Sequence, residues 1–190
     1  MLLSLSISTY AQLNQLLHTH IKLKEQSVDT INFKIDSILI VGAGPSVSRI
    51  FMNEFSSKIS SSLQSSKIHI GYYYLGNNIQ AATSNYKSID KKGYKVVLLM
   101  HPIDTAQFGT LYKGRMTIFE TRWGDISHVH TNSRTVLRQN FLLKAFRPDN
   151  ETSFFWTAIA DIDCDPGKPA GADLLSNKVL HYFRANKYID

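Results

Sequence analysis

The stretch Ile38-Leu-Ile-Val-Gly-Ala-Gly-Pro45 decides the predicted fold of this 190-residue chain. Four consecutive apolar residues, Ile38 to Val41, are typical of a strand buried on both faces, as in the centre of a parallel sheet. Two glycines break this strand, and Pro45 suits the first turn of a helix, where its missing N–H costs nothing. The stretch therefore predicts a strand, a glycine turn and a helix, the opening unit of a Rossmann-like domain. An apolar stripe at four-residue spacing supports the helix: Val47, Phe51, Phe55, Ile59 and Leu63.

Predicted strands and helices alternate through most of the chain. This alternation predicts a single α/β domain with three layers, a mostly parallel sheet with helices on both faces. Residues 1–34 are expected to form an N-terminal helical extension, and residues 35–190 the Rossmann-like core. Besides the opening unit, the predicted strands are 68–75, 95–100, 115–120 and 153–159, and the predicted helices are 9–24, 79–92, 133–146 and 173–186.

The composition sets broad limits on function. The net charge of +6, from 21 Lys and Arg against 15 Asp and Glu, mildly favours acidic partners. The charge is scattered along the chain, so a solvated basic surface is the alternative interpretation. Cys164 is the only cysteine, which excludes an intrachain disulfide and fits a reducing compartment. No stretch approaches the roughly 18 apolar residues of a membrane span, so we predict a cytoplasmic protein without membrane contact.

Residues 38–45, Ile-Leu-Ile-Val-Gly-Ala-Gly-Pro, resemble the first motif of class I S-adenosylmethionine-dependent methyltransferases. Two further segments resemble parts of the same family. Residues 111–120, Leu-Tyr-Lys-Gly-Arg-Met-Thr-Ile-Phe-Glu, look like the segment that enters a late strand. Residues 96–102, Val-Val-Leu-Leu-Met-His-Pro, lie where the fourth strand and the substrate-side motif of the family would fall.

The resemblance implies a cofactor, a reaction and a set of site residues. The cofactor would be S-adenosylmethionine, and the methyl acceptor a small molecule or a nucleic acid. His101 is a candidate general base, because residues beyond the carboxyl end of a parallel strand border the ligand crevice. The implied cofactor-binding residues are Gly42, Ala43, Gly44, Pro45 and Ser46, with Asn77 or Asn78 at the ribose, and the implied catalytic residues are His101, Asp104 and Glu120.

One departure from the family supports an alternative function. The predicted second strand ends Tyr74-Leu-Gly-Asn77 and lacks the carboxylate that the family uses to bind the ribose hydroxyls. The alternative is a non-catalytic Rossmann-like scaffold that serves in binding or assembly. The partner classes in this interpretation are a nucleotide-like small molecule, a nucleic acid and a second copy of the chain.

Other polar residues suggest weaker alternatives. Asp161, Asp163 and Asp165 alternate and could bind Mg²⁺, but a solvated strand end followed by a turn is the favoured interpretation. His128 and His130 could act with a nearby carboxylate, or could face solvent. Cys164 has no evident histidine partner, so we expect an inert thiol.

Overall fold

The structure is a computed structural model. It describes residues 19–28, 31–77, 79–104, 107–119 and 126–190. The side chains of these residues are described except at 26–28, 79–81, 83, 107–119 and 126–136. The strands are β1 His20–Val28, β2 Ser37–Gly42, β3 His69–Tyr74, β4 Val96–Pro102, β5 Gln107–Phe119, β6 Ile126–Arg147 and β7 Asn150–Cys164. They join one sheet in the order β1-β7-β6-β4-β2-β3, with β5 paired to β6. The α-helices are α1 Ser46–Leu63, α2 Ile79–Ser88 and α3 Pro169–Ala185, and a short 3-10 helix spans Gln64–Ser66.

The opening unit of the chain folds as its sequence predicts. Strand β2 contains the predicted strand 38–41 and pairs in parallel with both β3 and β4. Helix α1 follows the glycine turn, and four of its stripe residues, Phe51, Phe55, Ile59 and Leu63, are buried. Three parallel strands therefore end at one edge of the sheet.

The fold class predicted from the sequence is wrong. Beyond the parallel pairs of β2, all other strand pairings in the described part of the chain are antiparallel: β1 with β7, β4 with β6, β5 with β6 and β6 with β7. The sheet is mixed and mostly antiparallel, whereas a Rossmann-like core requires a mostly parallel sheet. The parallel part is confined to β3, β2 and β4.

The predicted helix 133–146 is wrong, because these residues belong to strand β6. Leu137, Phe141 and Ala145 are spaced by four, which satisfies a helical face and also the two-residue period of a strand. The positions between them decide the outcome. Leu143 and Gln139 are also buried, at 0% and 3% exposure, so every second residue from 137 to 145 faces the core.

This alternation is not apparent in the sequence, because one of the core positions is occupied by the polar residue Gln139. Its amide is buried with two partners. The Ser48 hydroxyl donates to Gln139 Oε1 at 2.5 Å, and Gln139 Nε2 donates to the Asp104 carbonyl at 3.1 Å. Burial of a polar group is tolerated when its hydrogen bonds are made, as they are here.

Four further predictions concern the ends of the chain and strands β5 and β7. The helix predicted at 9–24 is wrong over residues 20–24, which lie in β1, and residues 9–18 lie outside the described part of the chain, as does most of the predicted extension 1–34. Strand β7 continues through Cys164, where a turn is predicted from Asp161. The terminal helix is confirmed as α3, with Pro169 in its first turn. Residues 115–119 of the predicted strand 115–120 lie in β5, which pairs antiparallel with β6, and Glu120 is outside the described residues.

The helices cover the two faces of the sheet unequally. Helices α1 and α3 pack on one face, where Phe51, Phe141 and Trp156 lie in the larger core. Helix α2 covers the other face, where Ala82 and Tyr86 pack against a smaller buried cluster that includes Val41 and Phe146. No helix in the described ranges is long and apolar enough to span a membrane.

Replacement of Leu143 by alanine tests the strand assignment of β6. Because Leu143 is fully buried, we expect Leu143→Ala to lower the free energy of unfolding by about 2–5 kcal/mol in urea titrations. The matched variant Leu142→Ala removes the same side chain from a half-buried position and should cost less. An equal or smaller loss at Leu143 would contradict the register of β6.

Candidate functional site

A cleft of about 730 Å³ opens where β2, β3 and β4 end. The carboxyl ends of parallel strands meet at one edge of a sheet, so the loops that follow them surround a common space. The cleft continues across the face that α2 covers, where β6 and β7 form its floor. Its lining residues are Ala43, Gly44, Pro45, Leu75, Gly76, Asn77, Ala82, Tyr86, Leu99, His101, Pro102, Lys144, Phe146, Glu151 and Phe154.

The walls of the cleft are mainly apolar. Leu75, Leu99 and Phe146 form its base with the ring of Phe154, and Phe146 and Phe154 meet edge to face at a centroid distance of 5.6 Å. A few polar side chains interrupt this surface. Small-molecule sites generally combine such apolar walls with a small number of polar groups.

The glycine turn contributes to the cleft, but its glycines serve internal packing. Gly44 has φ +145°, and a Cβ at this position would lie 2.8 Å from Pro102 Cδ. A Cβ on Gly42 would lie 3.0 Å from Met52 Sδ and 3.2 Å from the Tyr72 hydroxyl. Side chains of the protein itself therefore occupy the space that these glycines leave.

The backbone amides of the turn also have partners within the protein. Ala43 N–H donates to the Met100 carbonyl at 3.1 Å, and Gly44 N–H donates to the Gly76 carbonyl at 3.0 Å. The Tyr74 hydroxyl donates to the Gly44 carbonyl. These bonds join the ends of β2, β3 and β4, so neither amide is directed at a ligand.

The remaining predicted cofactor residues are divided between the cleft and its surroundings. Ala43, Gly44, Pro45 and Asn77 line the cleft, whereas Gly42 and Ser46 are not part of its lining. Asn78 is outside the described residues.

The structure gives His101 and Asp104, two of the three predicted catalytic residues, different partners, and Glu120 is outside the described residues. His101 lines the cleft, and its Nδ1 lies 3.1 Å from the Pro102 carbonyl oxygen. Asp104 instead binds β6, because its carboxylate accepts the Asn140 N–H at 2.9 Å and Asn140 Nδ2 at 2.6 Å. This arrangement fixes the loop after β4 and leaves His101 without a carboxylate partner among the residues that the structure describes.

Glu151 and Lys91 form an ion pair at one end of the cleft. Lys91 Nζ lies 2.6 Å from Glu151 Oε1 and 4.0 Å from the centroid of the Tyr86 ring. Burial raises the pKa of the Tyr86 hydroxyl, and the nearby Glu151 carboxylate raises it further. Tyr86 therefore remains neutral at physiological pH, and the charge of Glu151 is compensated by Lys91.

Lys144 is the cation of the cleft floor. In β6 it pairs with Leu99 of β4 and Thr157 of β7, which places it on the face that α2 covers. Its Nζ lies 4.5 Å from the centroid of the Phe154 ring, an arrangement that favours a cation. No ion pair joins Lys144 to any carboxylate within the described parts of the chain.

A second cavity, of about 700 Å³, lies at the amino end of β4. Its cations are largely neutralised by carboxylates: Lys95 Nζ lies 2.5 Å from Asp36, and Arg147 lies 2.6 Å from Asp149. Lys91, which also lines this cavity, is paired with Glu151. The second cavity therefore offers less unpaired positive charge to an anion than the number of Lys and Arg residues in its lining suggests.

The three carboxylates of the alternative Mg²⁺ site differ in their partners and exposure. Asp163 pairs with Arg138 Nε at 2.9 Å, Asp165 accepts the Gly167 N–H at 3.1 Å, and Asp161 is exposed. Among the described side chains, no group of three or more His, Cys, Asp or Glu residues is arranged to hold a metal ion. His128 and His130 lie in β6, in the part whose side chains are not described.

The residues that β6 and β7 bring to the cleft are not predicted from the sequence. Lys144 falls within the predicted helix 133–146, Glu151 lies before the predicted strand 153–159, and Phe154 lies in that strand, in a sheet expected to be mostly parallel. One signal was present: Leu142, Lys144 and Phe146 alternate with the buried Leu143 and Ala145. A strand interpretation of that alternation places Lys144 on the opposite face of the sheet.

Comparisons with known proteins leave the family open. No protein-family model and no curated protein matches this chain. Two structures of a PelC dodecamer from Paraburkholderia phytofirmans are similar, with TM-scores of 0.44 and 0.43, 9% identity, and coverage of 85% of this chain and 95% of that chain. A PDZ domain protein from Parabacteroides distasonis has a TM-score of 0.36 and 9% identity, over 93% of this chain and 39% of that chain. At these TM-scores the similarities carry no argument about this chain.

Replacement of Gly44 by alanine tests whether the turn is filled by the protein itself. We expect Gly44→Ala to lower the free energy of unfolding by about 1–3 kcal/mol from backbone strain alone, with a further loss from the contact with Pro102. Gly93→Ala is the control, because Gly93 has φ +89° and no atom within 4 Å of an added Cβ.

Pro102→Ala should remove the additional loss in a double-mutant cycle measured by urea unfolding. If Gly44→Ala lowers the free energy of unfolding no more than Gly93→Ala does, the space beside Gly44 is open, as it would be in a cofactor-binding turn. That result would contradict the packing of Pro102 against Gly44.

Thiol labelling tests the expectation that Cys164 is inert. Cys164 is 1% exposed, and burial, with smaller effects of Asp165 and Asp163, raises the pKa of its thiol to about 12. At about pH 8 the native thiol is therefore protonated, and we expect labelling by Ellman's reagent only after unfolding in urea. Complete labelling of the native protein within minutes would contradict the buried placement of Cys164.

Proposed function

We propose that this protein is a binding protein for a small, largely apolar molecule, which it holds in the cleft between α2 and the sheet. The observation that carries the proposal is the cleft itself: about 730 Å³, at the carboxyl ends of three parallel strands, with Leu75, Leu99, Phe146 and Phe154 in its walls. This volume lies within the range of roughly 300–1,000 Å³ that ligand sites occupy.

The position of the cleft in the fold supports binding. Its walls come from the β2–α1 turn, the loop after β3, helix α2 and strands β4, β6 and β7, so elements distant in sequence converge on it. Backbone hydrogen bonds link the ends of the parallel strands, such as Leu75 N–H to the Gly42 carbonyl at 2.8 Å. A ligand would therefore enter a site whose sheet side is already fixed, which lowers the entropy cost of binding.

The polar groups favour binding over catalysis. His101 has no carboxylate to orient it among the described residues, and Asp104 is held by Asn140. A catalytic histidine that activates a nucleophile is usually oriented by a third group, often a carboxylate. We therefore favour the alternative of a non-catalytic binding protein. The Rossmann-like scaffold of that alternative is not retained, because the sheet is mostly antiparallel.

The S-adenosylmethionine ligand implied by the sequence resemblance stays a prediction. Ala43, Gly44, Pro45, Asn77 and His101 do line this cleft, which is the observation in its favour. Pro102 beside Gly44 and the engaged amides of Ala43 and Gly44 favour a ligand that does not depend on the turn. Calorimetry with S-adenosylmethionine and S-adenosylhomocysteine separates these cases, because the absence of binding at millimolar levels would contradict the methyltransferase prediction.

A neutral aromatic probe tests the proposed function. We expect naphthamide to shift the amide signals of Gly76, Leu99 and His101 saturably in proton–nitrogen correlation spectra. Ala82→Trp fills the cleft from α2 and should weaken binding by roughly tenfold or more, because the ring occupies the ligand's volume.

The control is Ala185→Trp, which adds the same side chain at an exposed site on α3 and should leave binding unchanged. The proposal fails if millimolar naphthamide produces no saturable shifts at these residues, or if Ala82→Trp binds it as wild type does.

A further inference from the structure

We infer that the ligand of this cleft is an apolar carboxylate, and that Lys144 binds its anionic group. This inference rests on the proposed function and specifies the chemistry of the ligand. It starts from the two charged side chains that line the cleft with opposite sign, Lys144 and Glu151.

Glu151 is already paired. Its Oε1 lies 2.6 Å from Lys91 Nζ, and the Lys91 side chain is 19% exposed, so this pair is partly shielded from water. A ligand cation would have to compete with Lys91 for the same carboxylate. The acidic end of the cleft therefore offers little net charge to a ligand.

Lys144, in contrast to Glu151, has no ion-pair partner among the described residues. Its ammonium lies 4.5 Å from the Phe154 centroid, and its strand neighbours across β4 and β7 are Leu99 and Thr157. The ring face attracts the positive charge, and no carboxylate among the described residues pairs with the ammonium. A half-buried lysine beside apolar walls binds an anion more strongly than a fully exposed lysine does, because less water competes for it.

The anion that fits is singly charged. Phosphate sites in proteins usually add backbone amides or several cations, and here the amides of Ala43 and Gly44 donate to backbone carbonyls. One lysine beside Leu99, Phe146 and Phe154 instead matches a carboxylate attached to a flat or extended apolar body.

A pair of isosteric probes tests the inference. Naphthoate and naphthamide share one ring system and differ in the charge of the substituent. We expect wild-type protein to bind naphthoate roughly tenfold more tightly than naphthamide in calorimetric titrations, and Lys144→Met to bring the ratio of the two affinities close to one. Lys144→Arg retains the cation and should retain the preference.

Lys178→Met is the matched control, since it removes one exposed charge from α3 on the opposite face of the sheet and should alter neither affinity. Equal affinity of the wild type for both probes, or an undiminished preference in Lys144→Met, overturns the role of Lys144 while the cleft remains a binding site. Failure of naphthamide to bind, or binding of both probes that Ala82→Trp leaves intact, overturns the proposed function itself and this inference with it.

Discussion

Strand β6 is hydrogen-bonded on both edges, and the arrangement of the molecule depends on this double pairing. Residues 97–102 of β4 pair with one edge, and residues 150–164 of β7 pair with the other. The first edge joins the parallel unit to the rest of the sheet, and the second brings β7, with β1 beyond it, into the same sheet. Without β6 the three parallel strands and the β7–β1 pair would have no common core, and the cleft would have no floor.

The sequence predicts the parallel unit well because each of its signals has one interpretation. A four-residue apolar run, two glycines and Pro45 can hardly form anything other than a strand, a turn and a helix start. The β6 segment has no such uniqueness, since Leu137, Phe141 and Ala145 fit both the helical and the strand period. Gln139 broke the alternation in the sequence, and only its partners Ser48 and Asp104, distant in the chain, explain its burial.

The candidate site also contains residues that the sequence could group and residues that it could not. Ala43, Asn77 and His101 could be grouped from the sequence, because the ends of adjacent parallel strands meet. Lys144 and Phe154 could not, because their place in the cleft follows from antiparallel pairings between strands far apart in the chain. The role of the glycines changes as well: Pro102 fills the space beside Gly44, so a motif that resembles a cofactor turn here closes the junction between β2 and β4.

The most direct test of this account is a nuclear Overhauser experiment on isotopically labelled protein, directed at residues 137–146. The account predicts cross-strand contacts from Lys144 to Leu99 and to Thr157, and from Phe141 to Ala160, without helical contacts between residues four apart. Strong sequential amide–amide contacts through 137–146, with Lys144 close to Asn140, would contradict it. That result would remove the floor of the cleft and the position of Lys144 together.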